Sequence, residues 1–361
     1  MTGECLWAGS DAAGGHEPLT TKEGWRRFVD QPTDAEDLHD PTVVGHGELS
    51  ESVKEVIEDA RLAYHSRLAV VATPTVQQIT LGGRRLIVLN RHQLSARRGL
   101  IVTGPAGTGK TTAITQLGKA HELALRLRHP QGGLRMPVIY VTVPPAATAR
   151  MLAVEFARFL GLPVTPRANI TNAVCAVLID LRCDLVIVDE LHNLNLATRA
   201  GAEVSDQLKY FSERIPATFV YAGIDVERVG LFTGTRGRQI ASRFATIATK
   251  PFGYATTVQR EQWEALVATF EQTLRLRRHR PGSLVRIAAH LHDRTGGMIG
   301  SLSHLIRAAA IDAIITGAER ITKTSLDAVH LDHAAETHRA IVNPSARPRA
   351  SRTGAVRSGT A

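Results

Sequence analysis

Five apolar runs of strand length recur along the chain: Leu100–Thr103, Pro137–Val143, Asp184–Glu190, Thr218–Ile224 and Phe244–Phe252. The third is continuously apolar from Leu185 to Val188, which suits a central parallel strand covered on both faces. Between these runs lie segments with helical spacing, over 111–127, 146–160, 169–181 and 202–214. Strands alternating with helices predict a parallel, three-layer α/β sheet. Upstream, Val53, Ile57, Ala60 and Tyr64 mark one face of a helix over 51–66. From Val258 onward the pattern is helical only, over 258–276, 284–293 and 299–316, with a short helix from near Thr324. Residues 1–45 show little periodicity and most of them read as flexible, and those after about 340 read as a disordered basic tail.

One turn between a predicted strand and a predicted helix carries chemistry. Gly104, Pro105, Ala106, Gly107, Thr108, Gly109, Lys110 and Thr111 spell G-x-x-x-x-G-K-T, the pattern of a phosphate-binding loop, and Thr112 continues it into the helix. Glycines let the backbone curl so that N–H groups point at phosphate oxygens, and the positive helix end completes the anion site. Lys110 is expected to reach the β- and γ-phosphates of ATP, and Thr111 to hold Mg²⁺.

The acidic end of the third run fits beside it. Asp189 is expected at the C-terminal end of its strand, holding Mg²⁺ through water. Glu190 is placed to orient or deprotonate the attacking water.

Composition adds bounds. A 43% apolar content over 361 residues suffices for a sizeable core, and the longest apolar stretches are too short for a membrane span. The acidic N-terminus does not read as a signal peptide. Cys5, Cys175 and Cys183 have neither metal nor redox spacing, and the last two sit in apolar surroundings. A cytoplasmic location is expected. The net charge of +9 is unevenly spread: residues 1–60 hold 14 acids and 4 bases, the remainder 39 bases and 20 acids. That basic remainder suggests a polyanionic partner.

The motifs in order resemble AAA+ ATPases, specifically the TniB-type transposition ATPases related to the IstB and TnsC regulators. The resemblance covers roughly residues 47–335. It is carried by Arg61-Leu62-Ala63-Tyr64-His65-Ser66, the phosphate loop, Val188-Asp189-Glu190-Leu191-His192-Asn193-Leu194 and Val220-Tyr221-Ala222-Gly223. Gln239-Ile240-Ala241-Ser242-Arg243-Phe244 and Thr295-Gly296-Gly297-Met298-Ile299-Gly300 continue it. The resemblance implies an ATP-loaded homo-oligomer that assembles on double-stranded DNA and recruits or activates a transposase. It also implies that an arginine reaches the γ-phosphate of a neighbouring subunit; Arg243 is the expected finger, with Arg236 and Arg238 as alternatives. The expected organisation is a flexible acidic segment over 1–45, an AAA+ α/β domain over 46–255, a helical lid over 256–338 and a disordered basic tail over 339–361.

Two departures bear on turnover. The fourth strand ends without the usual polar sensor, leaving Tyr221 or Asp225 to serve, and the lid stretch from Gly297 to Ser301 has no arginine, the nearest being Arg307. Slow hydrolysis, or an ATP-gated switch, is the expectation. Three basic clusters stand out: Arg275 to Arg280, Arg126 to His129, and Arg84, Arg85, Arg97 and Arg98. No aromatic residues are interleaved with them, so backbone contacts with a duplex are expected, not stacking on bases. His192 completes a D-E-x-H string like that of some helicases, but a second α/β domain would be needed and has no room. A signalling NTPase and a helicase loader are the competing readings; ATP-dependent, salt-sensitive DNA binding separates the first of them from the transposition reading.

Overall fold

The protein's structure, a computed structural model, describes residues 17–31, 50–130, 135–165, 169–194, 199–226, 242–332 and 335–336. The chain divides into two units: residues 1–34 with 72–250, and residues 35–71 with 251–361.

The first unit is built on a parallel five-stranded sheet, formed by β1 (Gly99–Thr103), β2 (Val138–Thr142), β3 (Leu185–Asp189), β4 (Thr218–Gly223) and β5 (Phe244–Ala248). The strand order is β2-β3-β4-β1-β5. Ile101 pairs with Tyr221 on one side and Thr246 on the other, so β1 is an interior strand. β1 to β4 are buried at nearly every position, as their unbroken Val/Ile/Leu runs require. β5 is an edge strand, exposed at Ala245, Thr246 and Ala248.

Helices connect and cover the strands: α3 (Pro74–Asn90), α4 (Lys110–Arg128), α5 (Ala149–Leu160), α6 (Ile170–Asp180) and α7 (Arg199–Arg214). Thr73 caps α3 by accepting from the Val76 N–H, and Pro74 sits in its first turn. A helix α1 (Lys22–Asp30) also belongs here. It sets residues 22–30 apart from the segment 1–45, most of which reads as flexible from the sequence. Trp25 is the reason. Its ring is 3% exposed, stacks on Tyr140 at 6.1 Å, and donates from Nε1 to Glu122 at 2.7 Å. It lies so close to Gly118 that a Cβ there would come within 2.7 Å of the indole.

The second unit is helical: α2 (Glu51–Ser66), α8 (Thr257–Gln272), α9 (Ala288–Thr295), α10 (Ile299–Ile315) and α11 (Lys323–Ala328). Its core gathers Trp263, Val267, Phe270, Leu302, Leu305 and Ala309. The sequence reading groups residues 46–71 with the α/β domain, whereas α2 clusters with these later helices. Arg61, fully buried, explains the grouping: its guanidinium grips Glu319 with two hydrogen bonds of 2.6 and 2.8 Å. Tyr64 donates to the Thr273 carbonyl at 2.8 Å. Among the described residues no single helix is long and apolar enough to cross a membrane.

Candidate functional site

The loop between β1 and α4 takes a shape that its glycines permit. Gly104 (φ 145°), Gly107 (φ 75°) and Gly109 (φ 85°) all occupy left-handed backbone. At Gly104 a Cβ would lie 2.3 Å from the Thr249 carbonyl oxygen, so a side chain there is excluded by space as well as by φ. Thr108 Oγ1 bonds Pro105 O at 2.8 Å and Thr249 Oγ1 at 2.6 Å, tying the loop to the end of β5. Gly109, the residue before α4, supplies no side-chain cap. The first-turn N–H groups of α4 are therefore left for an anion. Pro105, Ala106 and Gly107 are exposed at the loop's tip, and Thr112 is half-buried.

Lys110 lies folded across the loop, its Nζ donating to Gly104 O and Pro105 O, each at 2.7 Å. Burial lowers its pKa, and the charges of Asp189, Glu190 and Asp225 act in the opposite sense. Thr111 Oγ1 donates to Asp189 Oδ2 at 2.7 Å. The phosphate loop and the acidic strand end, 78 residues apart, are thus joined directly.

Asp189 is buried, and each of its oxygens is engaged. Oδ1 accepts the Glu190 N–H at 2.8 Å, and Oδ2 also accepts from Tyr140 Oη at 3.0 Å. Burial, then the Asp189 charge, push the Tyr140 phenol far up, so it remains a donor. Glu190 holds left-handed backbone at φ 58°, unusual for a residue with a Cβ and a form of strain that clusters at functional sites. Its carboxylate is half-exposed and sits 3.2 Å from His192 Nδ1. The same nitrogen lies 3.4 Å from the Ile224 N–H at the end of β4. Nδ1 can serve only one of the two at a time: in the tautomer with Nδ1–H it donates to Glu190, and in the other it accepts from the Ile224 N–H.

Other predicted positions fall elsewhere. Tyr221 is buried at mid-strand and stacks on Phe244 at 4.8 Å, which removes it as a sensor. Asp225 is close enough for its charge to bear on Lys110. Arg307 donates to the backbone carbonyls of His65 and Ser66 at the end of α2. Arg243 stands at the start of β5, its carbonyl accepting the Gly99 N–H at 3.1 Å. A five-residue strand at ~3.3 Å per residue separates it from its own phosphate loop by ~16 Å. Arg236 and Arg238 lie outside the described residues. Tyr140 and Thr249 had no motif to announce them. Only the sheet order brings β2 beside β3 and β5 beside β1.

The donors fit the group they would hold. Mg²⁺ takes hard oxygen ligands and keeps several from water and phosphate, so a hydroxyl and one carboxylate are an adequate protein share. Among the described residues there is no cluster of three or more metal-ligating side chains to suggest another ion.

Among the solved structures that share the fold are two from Aeropyrum pernix. The Aeropyrum pernix ORC1 protein in complex with DNA matches at 18% identity and a TM-score of 0.54, over 78% of this chain and 69% of that one. The Aeropyrum pernix ORC2 protein, in ADPNP-ADP complexes, matches at 18% identity and a TM-score of 0.52, over 70% of this chain and 65% of that one. About a third of each of those chains therefore lies outside the match. At this identity the likeness establishes the fold alone, that of the AAA+ ATPases. No curated protein matches the sequence. The family model described as bacterial TniB protein matches residues 61–254, more than half of the chain and the stretch that holds the phosphate loop, Asp189 and Glu190. The chain belongs to the bacterial TniB protein family.

Proposed function

We propose that this protein is an ATP-hydrolysing regulator of DNA transposition, which assembles on double-stranded DNA in its ATP state and recruits or activates a transposase. The observation that carries the ATPase part is the junction of Thr111, Asp189 and Glu190 beneath an uncapped helix end. The backbone N–H groups of the loop and of the α4 first turn bind the phosphates, and Lys110 leaves the Gly104 and Pro105 carbonyls to reach them. Thr111 and Asp189 would hold Mg²⁺, and the ion would supply charge neutralisation at the phosphate oxygens. Glu190 accepts a proton from the attacking water and orients it. His192 holds that carboxylate in place.

Arg243 cannot serve its own nucleotide from the opposite end of the sheet. In this reading it acts on the neighbour's, so hydrolysis depends on assembly. Mixing Arg243→Ala with Lys110→Ala subunits tests this: partial recovery of hydrolysis is expected, and no recovery counts against a trans finger.

Family membership and the 39 bases against 20 acids after residue 60 support the DNA part. A structural relative, the ORC1 protein, was solved in complex with DNA. Sedimentation with a non-hydrolysable ATP analogue, with and without duplex DNA, is the test. Duplex-dependent growth into large particles is expected; a monomer under every condition would contradict the assembly.

A further inference from the structure

The five strands are parallel, so their N-terminal ends form one edge of the sheet, opposite the phosphate loop. An arginine stands at the entry to each: Arg98, Arg135, Arg182, Arg214 and Arg243, before β1 to β5 in turn. α3 and α4 end at the same edge, which brings the 97–98 and 126–129 clusters of the sequence together. The run from 275 to 280 has a different fate. His279 pairs with Glu271 at 3.0 Å and Arg277 with Glu319 at 3.4 Å, so these two serve the helical unit's own packing, while Arg278 and Arg280 stay exposed.

Between the ends of α3 and α4 opens a cavity of about 320 Å³, with Arg91, His121, Arg128, His129, Arg135 and Asp184 in its wall. Asp184 is already engaged, with Arg135 at 3.0 Å and His121 at 3.5 Å. His121 Nε2, the atom that approaches Asp184, is buried and makes no hydrogen bond among the described residues beyond that 3.5 Å approach. Arg91, Arg128 and Arg182 are exposed and take no carboxylate partner among the described residues. Cations at helix ends commonly offset the carbonyl pole of the helix. That accounts for Arg91 and Arg128 one at a time. It also covers Arg182, just past the end of α6, and Arg135 is paired with Asp184, but it does not account for the convergence of these cations on one edge. No Phe, Tyr or Trp lines the cavity, so the surface suits a phosphate backbone better than unstacked bases.

We propose that this edge binds the backbone of duplex DNA, with Arg91, Arg128 and Arg182 pairing with phosphates and the cavity seating one phosphate. The proposal depends on the DNA-binding part of the reading above. It is tested by the salt dependence of binding to a labelled duplex with Mg²⁺ and ATP. The combined Arg91→Ala, Arg128→Ala and Arg182→Ala variant is expected to lose at least ~10-fold in affinity, and its log–log salt slope to become shallower by ~0.9 for each phosphate no longer neutralised. ATP affinity stays at the wild-type value, and the three Arg→Lys replacements restore the slope. A photocrosslinking residue at position His129 is expected to attach to the duplex. Should the alanine variant lose ATP affinity, this crosslink alone decides. Wild-type slope and affinity in the alanine variant, or no crosslink from a protein that binds DNA, would overturn the proposal and leave DNA binding intact. A wild-type protein that binds no duplex in ATP would overturn both.

Discussion

The Thr111 hydroxyl donates to Asp189 Oδ2 across 2.7 Å, and Tyr140 donates to the same oxygen at 3.0 Å. Two donors on one carboxylate oxygen hold Asp189 where Mg²⁺ would face it. Thr111 would be a ligand of bound Mg²⁺ through its hydroxyl oxygen. Thr111→Ala is therefore expected to weaken ATP binding ~10-fold in the presence of Mg²⁺, from the absence of about one charge-assisted interaction. Binding without Mg²⁺ should change little. Titration calorimetry with and without the ion reads both, and an equal loss in both would remove Thr111 from the ion's coordination.

His192 is a positioning residue for the Glu190 carboxylate. Its Nδ1 is 3.2 Å from Glu190 Oε2, whereas Lys110 and Thr111 bond to other groups. His192→Ala should lower kcat roughly tenfold, a part of the ~10²–10⁴ a general base supplies, with KM for ATP unchanged. A rise in KM with kcat intact would assign His192 to nucleotide binding instead.

The helical unit should be acid-sensitive. His65 is 4% exposed; burial pushes its imidazole down to about 4, with the Arg61 and Arg275 charges acting in the same direction. Below the ordinary value of 6.5 the unfolded chain takes up a proton that the folded chain does not. Stability therefore falls as pH drops from about 6.5 towards 4, by roughly 1–3 kcal/mol from this residue. Glu319 works in the same sense. Burial opposes its ionisation, but the Arg61 and Arg277 hydrogen bonds outweigh that and hold it below its ordinary value. Its stabilisation is full above about 4.5 and lost in acid below that. Tm should drop on going from pH 7 to pH 5, and His65→Gln should flatten the slope; an unchanged slope would contradict the assignment.

Trp25→Ala tests whether α1 is an integral part of the α/β unit. Removing a buried indole and its 2.7 Å bond to Glu122 should cost about 3–5 kcal/mol. A loss under about 1 kcal/mol on denaturant unfolding would mean that α1 is only loosely attached.

Much of this was legible in the sequence. The apolar runs predict all five strands, and G-x-x-x-x-G-K-T and Asp189-Glu190 predict the residues that meet at the loop. Local signals hid the rest. α3 carries Gly82-Gly83, Arg84 and Arg85 in its interior, which masks its helical period. Gly83 is nonetheless needed there, because a Cβ would come within 2.3 Å of Leu117 on α4. α1 is short and strongly polar outside Trp25, Phe28 and Val29, so composition alone read as flexible. The grouping of α2 with the later helices depends on an ion pair between residues 258 positions apart, which no local pattern announces.

The decisive measurement is steady-state ATP hydrolysis with Mg²⁺, with and without duplex DNA, with Lys110→Ala and Glu190→Gln beside the wild type. Slow basal turnover that duplex DNA stimulates is expected, with that turnover lost in both variants. Glu190→Gln should still bind ATP, while Lys110→Ala should not. Hydrolysis indifferent to DNA, or retained in Glu190→Gln, would contradict a DNA-assembled ATPase that works through this carboxylate.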